Sequence, residues 1–191
     1  MCPWEGASVS IAEAQRDVRR VYAGGFYGQL VSGAVWLAAA AAATWLSPLA
    51  AVAALFFGGV LIFPLTTLVI RLSGRPSSLP AGHPMAGLAM QIAFTVPIGF
   101  VVVVAMLGGR RELFFPAAMV IVGAHYLPFV FLYGMRLFAI LSAALVAPGV
   151  LLLYGLPVPS IVGGWFTGAL FVLFAFLLRA SAQARERTAE H

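Results

Sequence analysis

Seven polar side chains interrupt long apolar stretches of this sequence and are its candidates for chemistry. The most informative is His125, because histidine is the only side chain in these stretches that can gain or lose a proton near neutral pH. A neutral imidazole could relay a proton, bind the polar group of a ligand, or bond to Gln91 or to a backbone carbonyl near Pro128. The predicted cavity-lining or ligand-binding set is Gln29, Arg71, Gln91, His125, Tyr126, Tyr133 and Arg136.

The same side chains also have a purely structural interpretation. Each could form one hydrogen bond between neighbouring helices, which typically contributes less than about 1 kcal/mol in a membrane. We expect Thr66, Thr67 and Thr95 to bond to the backbone of their own helices. For His125 the functional and structural interpretations both stay open.

Several groups that membrane enzymes and ion-coupled carriers use are missing from the sequence. There is no lysine, no Asp or Glu inside an apolar stretch, and a single cysteine, Cys2. The motifs HExxH and GxSxG do not occur, and His83 and His191 lie in a predicted loop and at the chain terminus. The sequence therefore predicts no catalytic residue, no cofactor and no metal site, and it disfavours an enzyme.

The composition defines the class of protein that must position these side chains. Hydrophobic residues make up 62% of the chain, charged residues only 9%, and the mean hydropathy is +1.02, which predicts an all-α integral membrane protein. The net charge is +5, but the arginines form no basic stripe with interleaved aromatic residues, so a nucleic-acid partner is not expected.

Six stretches are long enough to be transmembrane helices, since a bilayer core of roughly 30 Å requires about 20 helical residues. They form a predicted transmembrane domain, 24–178, between a cytoplasmic N-terminal segment, 1–23, and a cytoplasmic tail, 179–191. The six spans are 25–46, 49–72, 85–107, 113–135, 137–154 and 160–178.

The arginines indicate the orientation of these spans. With the N-terminus inside, nine arginines lie on the cytoplasmic side and two, Arg110 and Arg111, lie outside. We therefore expect a multi-pass protein of a bacterial inner membrane with both termini in the cytoplasm.

A short amphipathic helix is predicted before the first span. Ser10 and Glu13 match a capping box, and the apolar residues after Ser10 share one helix face. The arginines of this helix suit the anionic lipids of the inner leaflet, so it is expected to be an interfacial anchor or a regulatory gate. The shared apolar face comprises Ile11, Ala14, Val18 and Val21.

Small residues at four-residue spacing predict where helices approach closely. The predicted partners are membrane lipids, a second copy of the chain or another membrane subunit, and a small-molecule ligand. The small-residue rows are Gly24, Gly28 and Ser32; Ala139, Ala143 and Ala147; and Gly164 and Gly168.

Two segments, "FFGGVLIFPLTTLVIRLSGRPSSLP" at 56–80 and "FFPAAMVIVGAHYLPFVFLYGMR" at 114–136, resemble a family of small bacterial six-span membrane proteins of unknown function. The resemblance supports six spans and implies no activity.

Three functions remain open. The first is a small-solute transporter or channel subunit with a polar cavity facing the cytoplasm. The second is a membrane scaffold or accessory subunit, and the third is an inner-leaflet enzyme that holds a lipid or isoprenoid phosphate with Arg71, Arg75 and Arg136.

Overall fold

The computed structural model describes residues 9–106 and 108–188. Residues 1–8 and 189–191, which are the outer parts of the two predicted cytoplasmic segments, lie outside this range, as does Leu107 at the predicted end of the third span. The expectations for Cys2 and His191 therefore also fall outside it. The described residues form helices and no strand: α1 (Ile11–Val21), α2 (Phe26–Trp45), α3 (Pro48–Leu72), α4 (Ala86–Met106), α5 (Phe114–His125), α6 (Leu127–Tyr133), α7 (Leu137–Leu153) and α8 (Ile161–Thr188).

Five helical segments are long and apolar enough to cross a membrane, which confirms a multi-pass membrane protein. The seventeen-residue α7 is apolar but shorter than the other five, so the sixth predicted span is not established by length. The five segments are Ala23–Trp45, Pro48–Leu72, Ala86–Met106, Arg111–Tyr133 and Ile161–Thr188.

The fourth of these segments is two helices rather than one. It breaks at Tyr126, between α5 and α6, because Pro128 lies in the first turn of α6. Proline has no backbone N–H, and its ring crowds the carbonyl four residues earlier, so the hydrogen bond to the Ala124 carbonyl is missing at this point of the ladder. The break places His125 and Tyr126 at the junction of two helices, beside the centre of the bundle.

Helix α2 packs against both α3 and α8. A Cβ on Gly168 would lie 2.6 Å from Cγ of Leu37, and a Cβ on Gly33 would lie 3.2 Å from the Gly168 carbonyl oxygen. The backbones of α2 and α8 can therefore meet only because these positions have no side chain. The close contact predicted at Gly168 is confirmed, as is the one at Gly164, where a Cβ would meet the Phe115 ring at 2.8 Å.

Of the other two small-residue rows, one marks a tight contact at a single position: a Cβ on Gly24 would lie 2.7 Å from Cβ of Ala182 and 3.1 Å from the Leu178 carbonyl oxygen, both on α8. On α7, Ala143 and Ala147 are exposed, so this prediction was wrong, and α7 packs on α5 through Gly149 instead. On α2, Gly28 and Ser32 face open space between α2 and α3. The spacing of small residues does not show which helix face packs against a neighbouring helix, so spacing alone could not predict these contacts.

Helix α1 begins with the predicted capping box: the Ser10 side chain accepts from the Glu13 N–H, and the Glu13 carboxylate accepts from the Ser10 N–H at 2.9 Å. The Ser10 N–H and the Ser10 hydroxyl both donate to the Glu13 carboxylate, and these two bonds lower the pKa of the exposed carboxyl because they stabilise its charged form. Ala14 and Val18 are buried, whereas Ile11 is exposed. The inner face of α1 therefore packs on protein.

Side-chain bonds fasten α1 across one end of the bundle. Gln15 Nε2 donates to the carbonyl of Phe131 at 2.5 Å, and Arg19 Nη1 donates to that of Tyr133 at 2.6 Å. These carbonyls lie at the C-terminal end of α6. The last carbonyl groups of a helix have no N–H donor within the helix and therefore accept hydrogen bonds from elsewhere. From the loop after α3, Arg75 Nη2 donates to the Arg20 carbonyl at 2.7 Å. Helix α1 thus ties α6 to the α3–α4 loop.

We expect Arg19→Ala to lower the free energy of unfolding by about 1.5 kcal/mol or more, since the lost hydrogen bond has a charged donor and is partly buried. Arg136→Ala is the matched control, because Arg136 is exposed at the start of α7. Thermal unfolding in detergent measures both variants. Equal unfolding temperatures for the two would contradict the role assigned to Arg19.

Candidate functional site

A central cavity of about 200 Å³ lies inside the bundle. Residues of α2, α3, α4, α5, α6 and α8 line it, together with Tyr22 at the end of α1. A second space of about 120 Å³ adjoins it, and Ser32, Thr66 and His125 line both. Eight aromatic side chains line the central cavity: Tyr22, Trp36, Phe63, Phe100, Tyr126, Phe129, Tyr133 and Phe171.

The central cavity has mainly apolar walls and no charged lining residue. None of the described residues that line either space is Asp, Glu, Lys or Arg. The predicted cavity was polar and included two arginines, so this arrangement differs from the expectation. Transferring an unpaired charge into such surroundings is costly, and the site therefore suits an uncharged molecule.

His125, the last residue of α5, contacts α4 through a hydroxyl group. Its Nδ1 lies 2.7 Å from Oγ1 of Thr95, and the same Oγ1 lies 2.8 Å from the Ile92 carbonyl oxygen. A hydroxyl has one proton, and the carbonyl can only accept, so Thr95 donates to Ile92 and accepts from Nδ1–H. In the neutral tautomer with its proton on Nδ1, Nε2 is an acceptor, and it has no hydrogen-bond partner among the described residues.

Two other predicted residues form the wall between α2 and α6. Tyr126 and Gln29 are buried, and the Tyr126 hydroxyl donates to Gln29 Oε1 at 3.5 Å, a long contact. Tyr133 is also buried, and its ring stacks on Phe129 with centroids 5.6 Å apart and an interplanar angle of 6°. The structure therefore brings His125, Tyr126, Tyr133 and Gln29 together around the two spaces.

The remaining three predicted residues lie away from the cavity. Gln91 is exposed on α4, two residues from the lining residues Ala89 and Ala93, and thus about 200° around the helix from each. Arg71 Nε donates to Ser77 Oγ at 3.0 Å in the loop after α3, and Arg136 is exposed between α6 and α7. His125 consequently bonds to Thr95 and not to Gln91.

Two of the three threonines that were predicted to bond to their own helix backbone do so, and the third does not. Thr67 bonds to the Phe63 carbonyl at 3.0 Å and Thr95 to that of Ile92, as predicted. Thr66 Oγ1 is buried and has no hydrogen-bond partner among the described residues, although its side chain lines both spaces. A buried hydroxyl without a partner is costly, so Thr66 is a lining residue whose hydrogen-bonding capacity is unused among the described residues.

Ser32 and Tyr22 are further lining residues that the sequence analysis missed. Ser32 follows Gln29 by three positions, which places both on one face of α2. Helical spacing from Gln29 was therefore a signal that would have found it. Tyr22 lies at the end of α1, outside any predicted span, and no sequence signal assigned it to the cavity.

Residues 11–181 match the model of a protein family described as a family of unknown function, DUF7010. The chain belongs to this family. The match covers most of the chain, whereas the resemblance found in the sequence covered only 56–80 and 114–136. No curated protein and no solved structure matches the chain, so no activity is transferred from a relative.

Metal-binding side chains do not cluster in the part of the chain that the structure describes. Within residues 9–106 and 108–188, no group of three or more His, Cys, Asp or Glu residues is arranged to hold a metal ion. The side chains that line the cavity of this DUF7010 member offer hydrogen bonding and aromatic contact.

Proposed function

We propose that this DUF7010 protein is a transporter or channel subunit that binds a small uncharged molecule in the central cavity. The observation that carries the proposal is a cavity of about 200 Å³ that reaches His125 inside the bundle. Apolar walls with a few convergent polar groups are typical of small-molecule sites. The lining supplies such groups at His125, Thr66 and Ser32.

The two alternative functions have less support. A scaffold needs no internal cavity, and well-packed bundles keep few voids larger than a water molecule. A phosphate-binding enzyme would need its arginines to converge. Arg71 instead bonds to Ser77, Arg75 bonds to the Arg20 carbonyl, and Arg136 is exposed at the start of α7.

The bilayer offers a route into the cavity for an uncharged molecule. Phe63 lines the cavity and is also 57% exposed, so it stands at the rim on the outer side of α3. Around it, α3 and α4 expose apolar side chains such as Phe57 and Phe94, as a lipid-facing surface would. A ligand that dissolves in the bilayer could enter between these two helices.

We also propose six spans with both termini in the cytoplasm of a bacterial inner membrane. Helix α7 has seventeen residues and is about 25 Å long at a rise of about 1.5 Å per residue. Tilt or local bilayer thinning accommodates the few ångströms missing from a core of roughly 30 Å. In this orientation α1 and the bonds that hold it to α6 lie at the anionic inner leaflet, and nine of eleven arginines are cytoplasmic.

Single cysteines placed in exposed loops test this topology. In a Cys2→Ser background, we expect Arg110→Cys and Tyr154→Cys to react with a membrane-impermeant maleimide in intact cells. We expect Arg136→Cys to react only after permeabilisation. If Tyr154→Cys and Arg136→Cys label from the same side, α7 does not cross the membrane and the six-span proposal is wrong.

The binding role is tested by native mass spectrometry of protein purified in mild detergent. We expect a small molecule to copurify with the wild type and to be lost from His125→Ala, because the free acceptor at the cavity is removed. Gln91→Ala is the matched control, since Gln91 lies on the outer face of α4. The molecule should then be transported or released by wild-type proteoliposomes. If His125→Ala retains it as well as Gln91→Ala does, this site is not used.

A further inference from the structure

We propose that the ligand of the central cavity is an uncharged molecule with one ring and a hydroxyl group, which donates a hydrogen bond to His125 Nε2. This inference rests on the proposed binding function and specifies the chemical class of the ligand. Phenols and ring-bearing alcohols belong to this class. Three properties of the cavity lead to it: the aromatic walls, the absence of charged lining residues, and the arrangement of acceptor and donor groups.

The size and walls of the cavity favour a single ring. An engineered protein cavity of about 150 Å³ holds one benzene molecule, so the volume of about 200 Å³ fits one ring with small substituents. The rings of Phe129 and Tyr133 lie parallel, and Tyr126 approaches Phe171 edge to face with centroids 5.7 Å apart. Such walls bind another ring through offset or edge-to-face contact.

The polar groups favour a hydroxyl on that ring. His125 Nδ1–H is engaged by Thr95, which leaves Nε2 as an acceptor, and an acceptor requires a donor on the ligand. Thr66 lines the same two spaces with a hydroxyl that has no partner among the described residues. A ligand hydroxyl supplies the donor that His125 Nε2 requires. A ketone or an ether lacks the proton and leaves Nε2 unpaired.

The described lining residues carry no charged side chain, which disfavours anionic lipids and phosphates as ligands. Neither a carboxylate nor a phosphate has a counter-charge among the described lining residues. Burial of an unpaired anion between aromatic rings is strongly unfavourable. The hydroxyl-bearing ligand is therefore neutral at physiological pH.

Three probes of similar size test the inference on the full chain in detergent: p-cresol, its methyl ether 4-methylanisole, and the anion p-toluate. We expect wild-type protein to bind p-cresol about tenfold more tightly than 4-methylanisole, as one neutral hydrogen bond allows, and to bind p-toluate more weakly than either. In His125→Phe the preference for p-cresol should disappear while 4-methylanisole still binds. Isothermal titration measures all six affinities.

Equal affinity of the wild type for p-cresol and 4-methylanisole would contradict the proposal that the ligand has a hydroxyl group. Tight binding of p-toluate would contradict the proposal that the ligand is uncharged. This comparison needs no variant, so poor folding of His125→Phe cannot obscure it. If no probe binds but the copurifying molecule is still lost from His125→Ala, the ligand class is wrong and the binding function stands. If nothing copurifies and no probe binds, both proposals fail.

Discussion

Gly28→Leu is expected to weaken binding of p-cresol and 4-methylanisole at least tenfold without lowering the stability of the protein. Gly28 lines both internal spaces, and a Cβ there would have its nearest neighbour, Thr66 Cγ2, at 3.9 Å. A leucine side chain therefore enters the cavity rather than a packed interface. Because leucine favours a helix over glycine by about 0.8 kcal/mol, the unfolding temperature should stay the same or rise.

The matched control for this prediction is Gly87→Leu. Gly87 is an exposed glycine in the first turn of α4, and a Cβ there would have no atom within 4 Å. This variant receives the same side chain away from the cavity and should bind both probes as the wild type does. Wild-type affinity in Gly28→Leu would show that the probes bind elsewhere.

In contrast to Gly28→Leu, Gly168→Ala should strongly lower the stability of the protein. The new Cβ would lie 2.6 Å from Leu37 Cγ and 3.1 Å from the Leu37 backbone nitrogen, so α2 and α8 must move apart. Overpacking of this kind costs roughly 1–3 kcal/mol, which corresponds to a fall in unfolding temperature of several degrees. Thermal unfolding in detergent, followed by tryptophan fluorescence, measures the effect.

Gly59→Ala is the control for Gly168→Ala, because its Cβ would lie 3.6 Å from the Phe100 ring, which is an ordinary contact. The intrinsic helix preference for alanine over glycine is the same at both sites. Only the Gly168 variant should therefore lose stability. If the two variants unfold at the same temperature, the close approach of α2 and α8 does not stabilise the fold.

The helices could be predicted because their apolar lengths follow from the thickness of a bilayer. The six predicted stretches correspond to α2, α3, α4, the α5 and α6 pair, α7 and α8, with ends that differ by a few residues except for α8, which continues to Thr188. Whether α7 crosses a membrane depends on tilt and lipid, which neither length nor composition determines. The capping box at Ser10 was also readable, since capping depends only on neighbouring residues.

The candidate site was only partly predictable, because depth along a helix is readable from sequence and rotation about its axis much less so. Gln91 was placed at the correct end of α4 but on the wrong face. The partner of His125 was also not readable, since its contact with Thr95 depends on how α4 packs against α5. An apolar helix without polar faces has little amphipathic signal to fix its rotation.

The most direct test is a crystal structure of the full chain grown with 4-bromophenol, with the bromine located by its anomalous scattering. We predict one bromine site inside the central cavity and the phenol oxygen within hydrogen-bond distance of His125 Nε2, with the cavity unoccupied in Gly28→Leu crystals grown the same way. A structure in which the bromine lies outside the cavity, or in which the cavity has collapsed around His125, would contradict the proposal that this bundle is built around a binding site.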